Sequence, residues 1–175
     1  LGNILTAMSE AKRVEEIIEH SELESIDIIL LVTELTSAYS DLYTQQTILF
    51  ENSENLSSLT MNAVPDLLVQ MLDKLIDNAV SFCPDDGVIV IAVQHNNNML
   101  ELSVSNDGQL LPETMQNQLF DNMVSLREER DSSATHLGLG LYIVNLIVKF
   151  HNGSITANNR DDNTGVVFSI SLPLE

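Results

Sequence analysis

The 175-residue chain reads as an α+β two-layer α/β sandwich: a mixed, mostly antiparallel sheet covered on one face by helices, with a helical extension at the N-terminus. Three observations predict it. Strand-like segments come as neighbours, 88–93 with 100–105 and 155–157 with 166–172, which favours antiparallel hairpins. Helical segments are gathered apart from these pairs, without the strict strand–helix–strand alternation of a doubly wound sheet. Finally, Leu100, Leu102 and Val104 alternate with Glu101, Ser103 and Ser105, and Phe168, Ile170 and Leu172 alternate with Ser169 and Ser171. That period of two describes strands with one buried face.

The elements follow in order. Residues 1–20 carry a broken apolar stripe (Ile4, Leu5, Met8, Val14, Ile17, Ile18) and read as a helix able to pack on its own domain or on a partner helix. Ser21 opens SELE, a candidate capping box with Glu24, so a break near 20–25 is expected, with the main domain starting close to residue 25. Asp27 to about Tyr43 is a second helix, with Ile28, Leu31, Val32, Leu35 and Tyr39 on one side. TILFE, 47–51, is a short strand and 52–58 a polar loop. Pro65 and Asp66 start the longest amphipathic helix, with Asp66 as its expected cap, and Pro84 ends it. Within it Leu68, Leu72, Leu75, Ala79 and Phe82 share an apolar face, and Lys74, Asn78 and Ser81 fall together beside it.

Val88 to Val93 is nearly all apolar and reads as a strand buried on both faces. His95 and Asn96 to Asn98 read as a hairpin loop, and Asn106-Asp107-Gly108 breaks the following strand. A helix is expected from about Pro112 to Met123. The polar stretch from Val124 to Thr135 reads as a mobile loop. His136-Leu137-Gly138-Leu139-Gly140 then leads into an apolar helix over 141–151, closed by Asn152-Gly153. The last two strands are joined by the polar turn NNRDDNTG.

Composition narrows the function. A hydrophobic fraction of 44% supports a sizeable core in one domain, or one domain with an appendage. No apolar run approaches the ~18 residues of a membrane span. The chain starts at Leu in mid-pattern, without a signal-peptide plan, so a fragment of a longer protein is expected. The lone Cys83 excludes an internal disulfide and is compatible with a reducing compartment. A net charge of −19 argues against non-specific nucleic-acid binding. A polyanionic ligand must then arrive with a metal or meet local cations and backbone donors. With seven Lys and Arg in all, Lys74, Arg127 and Arg130 gain weight.

Three polar nodes suit such a ligand. Asn78 offers an amide oxygen of the kind that binds a hard cation such as Mg²⁺. Asn106-Asp107-Gly108 places a polar side chain at a strand end, suited to the amino group of a heterocycle, though NDG is also a common turn. Gly138-x-Gly140 before a helix lets phosphate approach backbone N–H groups, though a tight loop alone explains it equally well.

Taken together, residues 66–173 resemble the catalytic ATP-binding domain of sensor histidine kinases, in the GHKL (Bergerat-fold) family shared with DNA gyrase and MutL. LDKLIDNAVSF resembles the N box, VSNDGQLLP the G1 box, LFDNM the F box, and HLGLGLYIV with FHNGSI and GVVFSISLP the G2 box and domain end. Residues 1–24, with MSEAKRVEE, resemble the end of the dimerisation hairpin's second helix plus a linker, leaving 25–175 as the catalytic domain. LDKLIDNAVSF, LFDNMVSLR and HLGLGLYIV are further similar to a proteobacterial subgroup linked to dedicated sortase systems.

The resemblance implies ATP and Mg²⁺ as ligands and assigns roles. Asn78 would ligate the Mg²⁺ on the phosphates, with Lys74 and Ser81 on the same stripe and Phe82 packing by the nucleotide. Asn106 stands where the family has the Asp that accepts from the adenine amino group, and Gly108 matches the first G1 glycine. Gly138 and Gly140, with Leu139 between them, would face the phosphates; 124–136 would be the ATP lid, with Arg127, Arg130 and His136 near phosphate. Partners implied are a dimerisation and phosphoacceptor domain of the same protein and a response-regulator receiver domain. The parent would be a homodimeric inner-membrane sensor with this domain in the cytoplasm.

Departures matter too. Asn106 accepts without charge, and Leu110 replaces the second G1 glycine. Lys74 as a cation cannot activate water, against an autonomous ATPase. His20, in IIEHSELES, lacks the acidic residue and proline that accompany an acceptor histidine, so the acceptor is expected outside this chain. His95 and His151 read as a loop residue and a structural residue. The expected activity is phosphoryl transfer to histidine; the rival is a degenerate nucleotide-sensing module that signals without transfer, motivated by Asn106 and Leu110.

Overall fold

Asn106 continues a buried row. In strand β5, Met99–Asp107, the inward positions are Leu100, Leu102, Val104 and then Asn106, all turned to the helical side of the sheet. The sheet order is β2-β4-β5-β7-β6, with β2 (Thr47–Asn52), β4 (Val88–Asn96), β6 (Ser154–Asn159) and β7 (Gly165–Pro173). β2 runs parallel to β4; the other pairings are antiparallel, so the sheet is mixed as expected. A computed structural model describes residues 2–112, 119–120 and 134–174, with only the backbone of 2–4, 7 and 134–139.

The helical layer consists of α1 (Gly2–His20), α2 (Ile28–Leu42), α3 (Pro65–Phe82) and α4 (Ala134–Phe150). α3 buries Leu68, Leu72, Leu75 and Ala79 on the expected face and adds Leu67, Met71 and Ile76. Full burial of each large side chain stabilises by about 1.5–3 kcal/mol. Inward from the sheet come Ile89, Ile91 and Val93 of β4 and Val166, Phe168, Ile170 and Leu172 of β7. Ala11 and Val14 of α1 are buried, and α1 packs on α4, so the N-terminal helix closes over the same core.

Several local expectations change. SELE does not cap α2; Glu24 lies in a short strand, β1 (Glu24–Asp27), paired antiparallel with β3 (Thr60–Ala63). Asp27 caps α2 instead, its Oδ1 accepting from the N–H groups of Ile29 and Leu30 at 3.0 and 3.4 Å. Asp66 is not the cap of α3: Val64 takes that position, Pro65 fills the first turn, and Asp66 lies inside it facing the helix dipole. β4 is buried on one face only, because helices cover one side of the sheet. His95 belongs to β4, paired with Leu100, and the hairpin turns at Asn97, whose φ is 55°. The helix expected over 112–123 falls largely outside the described residues, as do 124–133 of the expected lid. Within it, Leu119 is buried and Phe120 meets Phe168 edge-on at 6.2 Å.

Candidate functional site

α3 lines the candidate cleft, whose two ends are marked by two close glycine contacts. Lys74, Asn78 and Phe82 recur every four residues, one above another along the helix, over ~12 Å. At one end, Gly140 of α4 lies against Lys74: a Cβ there would stand 3.7 Å from its Cδ. At the other, Gly108 closes on the α3 terminus so tightly that a Cβ would stand 2.2 Å from the Phe82 carbonyl oxygen. Gly108 has φ +136°, which an L side chain rarely adopts, so glycine serves there both for conformation and for approach. Asn78, midway, is half-buried, and its amide makes no hydrogen bond among the described residues.

The β5 end is tightly built. Asn106 is 2% exposed, and its Nδ2 donates to the Asp107 carbonyl at 2.9 Å. Its Oδ1 accepts nothing from the described residues, leaving an acceptor at the end of an apolar row. Because Nδ2 is engaged, the amide is oriented so that an incoming ligand meets an oxygen. Asp107 fastens the strand end: Oδ2 accepts from Val88 N–H at 2.9 Å and Oδ1 from Arg160 Nη1 at 2.8 Å. Asn159 holds both backbone groups of Leu111, accepting from its N–H at 2.7 Å and donating to its carbonyl at 3.0 Å. By sequence NNRDDNTG, 158–165, is a plain polar turn; its density of Asn, Asp and Arg is the one signal that it does more.

The α4 end differs from expectation. The helix starts at Ala134, so Gly138 and Gly140 lie inside it rather than before it. Gly140 lies beside the Lys74 stem, with room for a Cβ at ordinary contact distance. Lys74 itself reaches back to α1, its Nζ 2.8 Å from Glu10 Oε2. That pair is partly exposed, with side-chain accessibilities of 29% and 45%, so it contributes little to stability.

Not every expected residue joins this cleft. The Ser81 hydroxyl donates to the Asp77 carbonyl at 2.7 Å, and Ser81 lines a separate groove of about 500 Å³ with Tyr43, Gln45 and Asp85. Arg127 and Arg130 lie outside the described residues; His136 and Leu139 are placed on α4 by backbone alone. Asp77 faces α2, accepting from Tyr43 Oη at 2.6 Å, and Asp73 accepts likewise from Tyr39. The Asp77 hydrogen bond, with burial, pushes the Tyr43 phenol up to about 12; burial and Asp73 push Tyr39 up further. These bonds fix the register of α2 on α3. His20 Nδ1 bonds the Glu16 carbonyl at 2.8 Å. His151 is buried, bonding the Ile147 carbonyl through Nδ1 at 2.8 Å and accepting from Val64 N–H through Nε2 at 3.2 Å. Burial lowers its pKa below the ordinary 6.5, so it is a neutral structural bridge between α4 and the start of α3.

The family described as "Histidine kinase-, DNA gyrase B-, and HSP90-like ATPase" matches residues 63–175, well over half the chain. The chain belongs to this family. Its fold is that of a histidine kinase catalytic domain. The nucleotide-free catalytic domain of histidine kinase ThkA overlays with a TM-score of 0.75 at 25% identity, covering 88% of this chain and 98% of that one. ThkA in complex with response regulator protein TrrA overlays at 0.71 and 23% identity, covering 98% and 49%. Among curated relatives, the adaptive-response sensory kinase SasA of Synechococcus elongatus is 34% identical over 116 residues, 66% of this chain and 29% of SasA. Sensor protein CreC of Escherichia coli is 27% identical over 177 residues, 97% of this chain and 37% of CreC. The chain thus spans about a third of the length of the curated relatives it matches.

This histidine kinase ATP-binding domain has one hard oxygen donor on the α3 stripe, Asn78. Among the described residues no group of three His, Cys, Asp or Glu side chains could hold a metal. That donor set fits a Mg²⁺ carried mainly by phosphates and water, with one protein oxygen. No helix among the described residues is long and apolar enough to cross a membrane.

Proposed function

We propose that the domain binds ATP with its base at Asn106 and its phosphates between Asn78 and the start of α4, and donates the γ-phosphoryl group to a histidine on a dimerisation domain of the same protein. The observation that carries the reading is the Oδ1 of buried Asn106, which accepts no hydrogen bond from the described residues and is an acceptor suited to the adenine amino group. Asn78 would hold Mg²⁺, which supplies charge neutralisation on the phosphates. Phe82 flanks the nucleotide, Gly108 shapes the base loop, and Gly138, Leu139 and Gly140 border the phosphates. Arg127, Arg130 and His136 would reach phosphate from the lid. Lys74 would join them when released from Glu10. Ser81 lies on its separate groove instead.

The acceptor imidazole bonds to phosphorus as the bond to the bridging oxygen breaks, and ADP leaves with that electron pair. The domain's contribution is positioning. Residues 1–24 then act as the end of the dimerisation helix and linker, and 25–175 as the catalytic unit. The association of ThkA with a response regulator supports an analogous partner for this protein. The parent is a homodimeric inner-membrane sensor that holds this domain on the cytoplasmic side.

Incubating the full-length protein with γ-labelled ATP tests the reading. An acid-labile label on histidine is expected. Measured ATP binding with no labelled histidine would overturn transfer. It would favour a module that signals by conformation alone, a reading that the uncharged Asn106 favours.

A further inference from the structure

We propose that the β6–β7 turn, residues 159–165, sets base recognition, with Asn159 as its positioning residue. The inference rests on the reading that Asn106 accepts from the base amino group. The segment after Asp107 has no regular structure; Leu110 within it is exposed and Leu111 is only partly buried against the core. Hydrogen bonds from the turn hold it. Asn159 occupies both backbone groups of Leu111, as a neighbouring strand would. Gly108 N–H donates to the Thr164 carbonyl at 3.0 Å. Arg160 grips Asp107, next to Asn106.

The turn is itself braced. Asp162 accepts from Arg160 Nη2 at 2.6 Å and from the N–H and hydroxyl of Thr164 at 3.0 and 2.7 Å. Arg160 N–H closes it onto the Gly165 carbonyl at 2.9 Å. Gly165 lies so close that a Cβ would stand 1.9 Å from the Asn106 carbonyl oxygen. The segment flanking Asn106 is therefore pinned on both sides of its arc, at Gly108 and at Leu111, by one turn remote in sequence. Asn159 touches no ligand in this arrangement; it acts by fixing the distance between Asn106 and the loop that faces it.

The test compares ADP with purine riboside diphosphate, which lacks only the amino group, by calorimetric titration. A wild-type preference for ADP of about tenfold is expected, the worth of one hydrogen bond. Asn159→Ala should compress that ratio to about twofold while affinity for the des-amino ligand stays near wild type. Asn159→Asp, which still accepts from Leu111 N–H but cannot donate to its carbonyl, should give an intermediate ratio and decides the matter should the alanine variant not fold. A merely structural role would lower both affinities together. An undiminished ratio in the variants would overturn the positioning role and leave base reading intact. A wild-type ratio of one would overturn base reading itself.

Discussion

The two ends of the cleft are built by different physics. At the β5 end, Asn106, Gly108 and Leu111 are held by backbone pairing, the Asn159 and Arg160 side chains, and glycine contacts that admit no Cβ. At the α4 end, Gly140 sits in a helix with room for a Cβ, and the one cation of the stripe, Lys74, is bound to α1. A site that reads a flat, uncharged base benefits from preorganisation, since ordering it on binding would cost affinity. A site for a triphosphate that must be delivered and exchanged need not be complete beforehand. The contrast sharpens the proposed reading: with the base at the β5 end and the phosphates at the α4 end, the base end should be built before nucleotide arrives and the phosphate end completed by it.

The largest effect should come from Gly108→Ala. A methyl against the Phe82 carbonyl at a φ of +136° forces the strand end off α3, with an expected loss of about 3 kcal/mol in urea unfolding and loss of ATP binding. Wild-type stability would show that the two elements are not in contact. Asn78→Ala should come next, removing the Mg²⁺-dependent part of ATP affinity, tenfold or more, with the unfolding midpoint unchanged because Asn78 lies outside the apolar face. Titrations with and without Mg²⁺ check it; an unchanged difference between them would remove Asn78 from the metal site.

Gly140→Ala should act in the opposite sense to Gly108→Ala. Its Cβ meets only the Lys74 stem at 3.7 and 3.9 Å, and alanine favours a helix interior, so stability should rise by about 0.5–1 kcal/mol. Affinity for ATP should fall while that for adenosine holds; a destabilised variant would show that the glycine is required by the unliganded helix. The smallest effect belongs to Glu10→Gln. Losing a partly exposed pair should change stability by under ~0.5 kcal/mol, yet free Lys74 for phosphate and raise ATP affinity about two- to threefold without altering that of adenosine. Equal ATP affinities would mean that Lys74 does not reach the nucleotide.

The sequence made much of the base end legible. The alternation of Leu100, Leu102 and Val104 gives the inward face of β5, and Asn106-Asp107-Gly108 at its end reads either as a polar node for a heterocycle amino group or as a common turn; that Asn106 continues the inward row is a finding of the structure. The α3 stripe was readable for the same reason, since helical period alone aligns Lys74 with Asn78. What failed lacked such periodicity. β1 and β3 are four residues each, too short to show alternation, and their pairing hid the true cap at Asp27. Gly138 and Gly140 disfavour a helix, and α4 incorporates them because Leu141, Val144 and Val148 bury its length beyond them. Asn159 was illegible because its partner lies 48 residues away and is backbone, which no side-chain pattern records.

Amide hydrogen exchange tests the central claim most directly. Gly108 and Leu111 donate to Thr164 and Asn159 and should exchange slowly without nucleotide. The described start of α4, residues 134–137, is where the proposed reading places the phosphates, and it should exchange fast until ATP is added. Adenosine alone should leave that turn unprotected. Gly108 and Leu111 exchanging as fast as the α4 turn in the free protein, and slowing in step with it on adding ATP, would contradict the account.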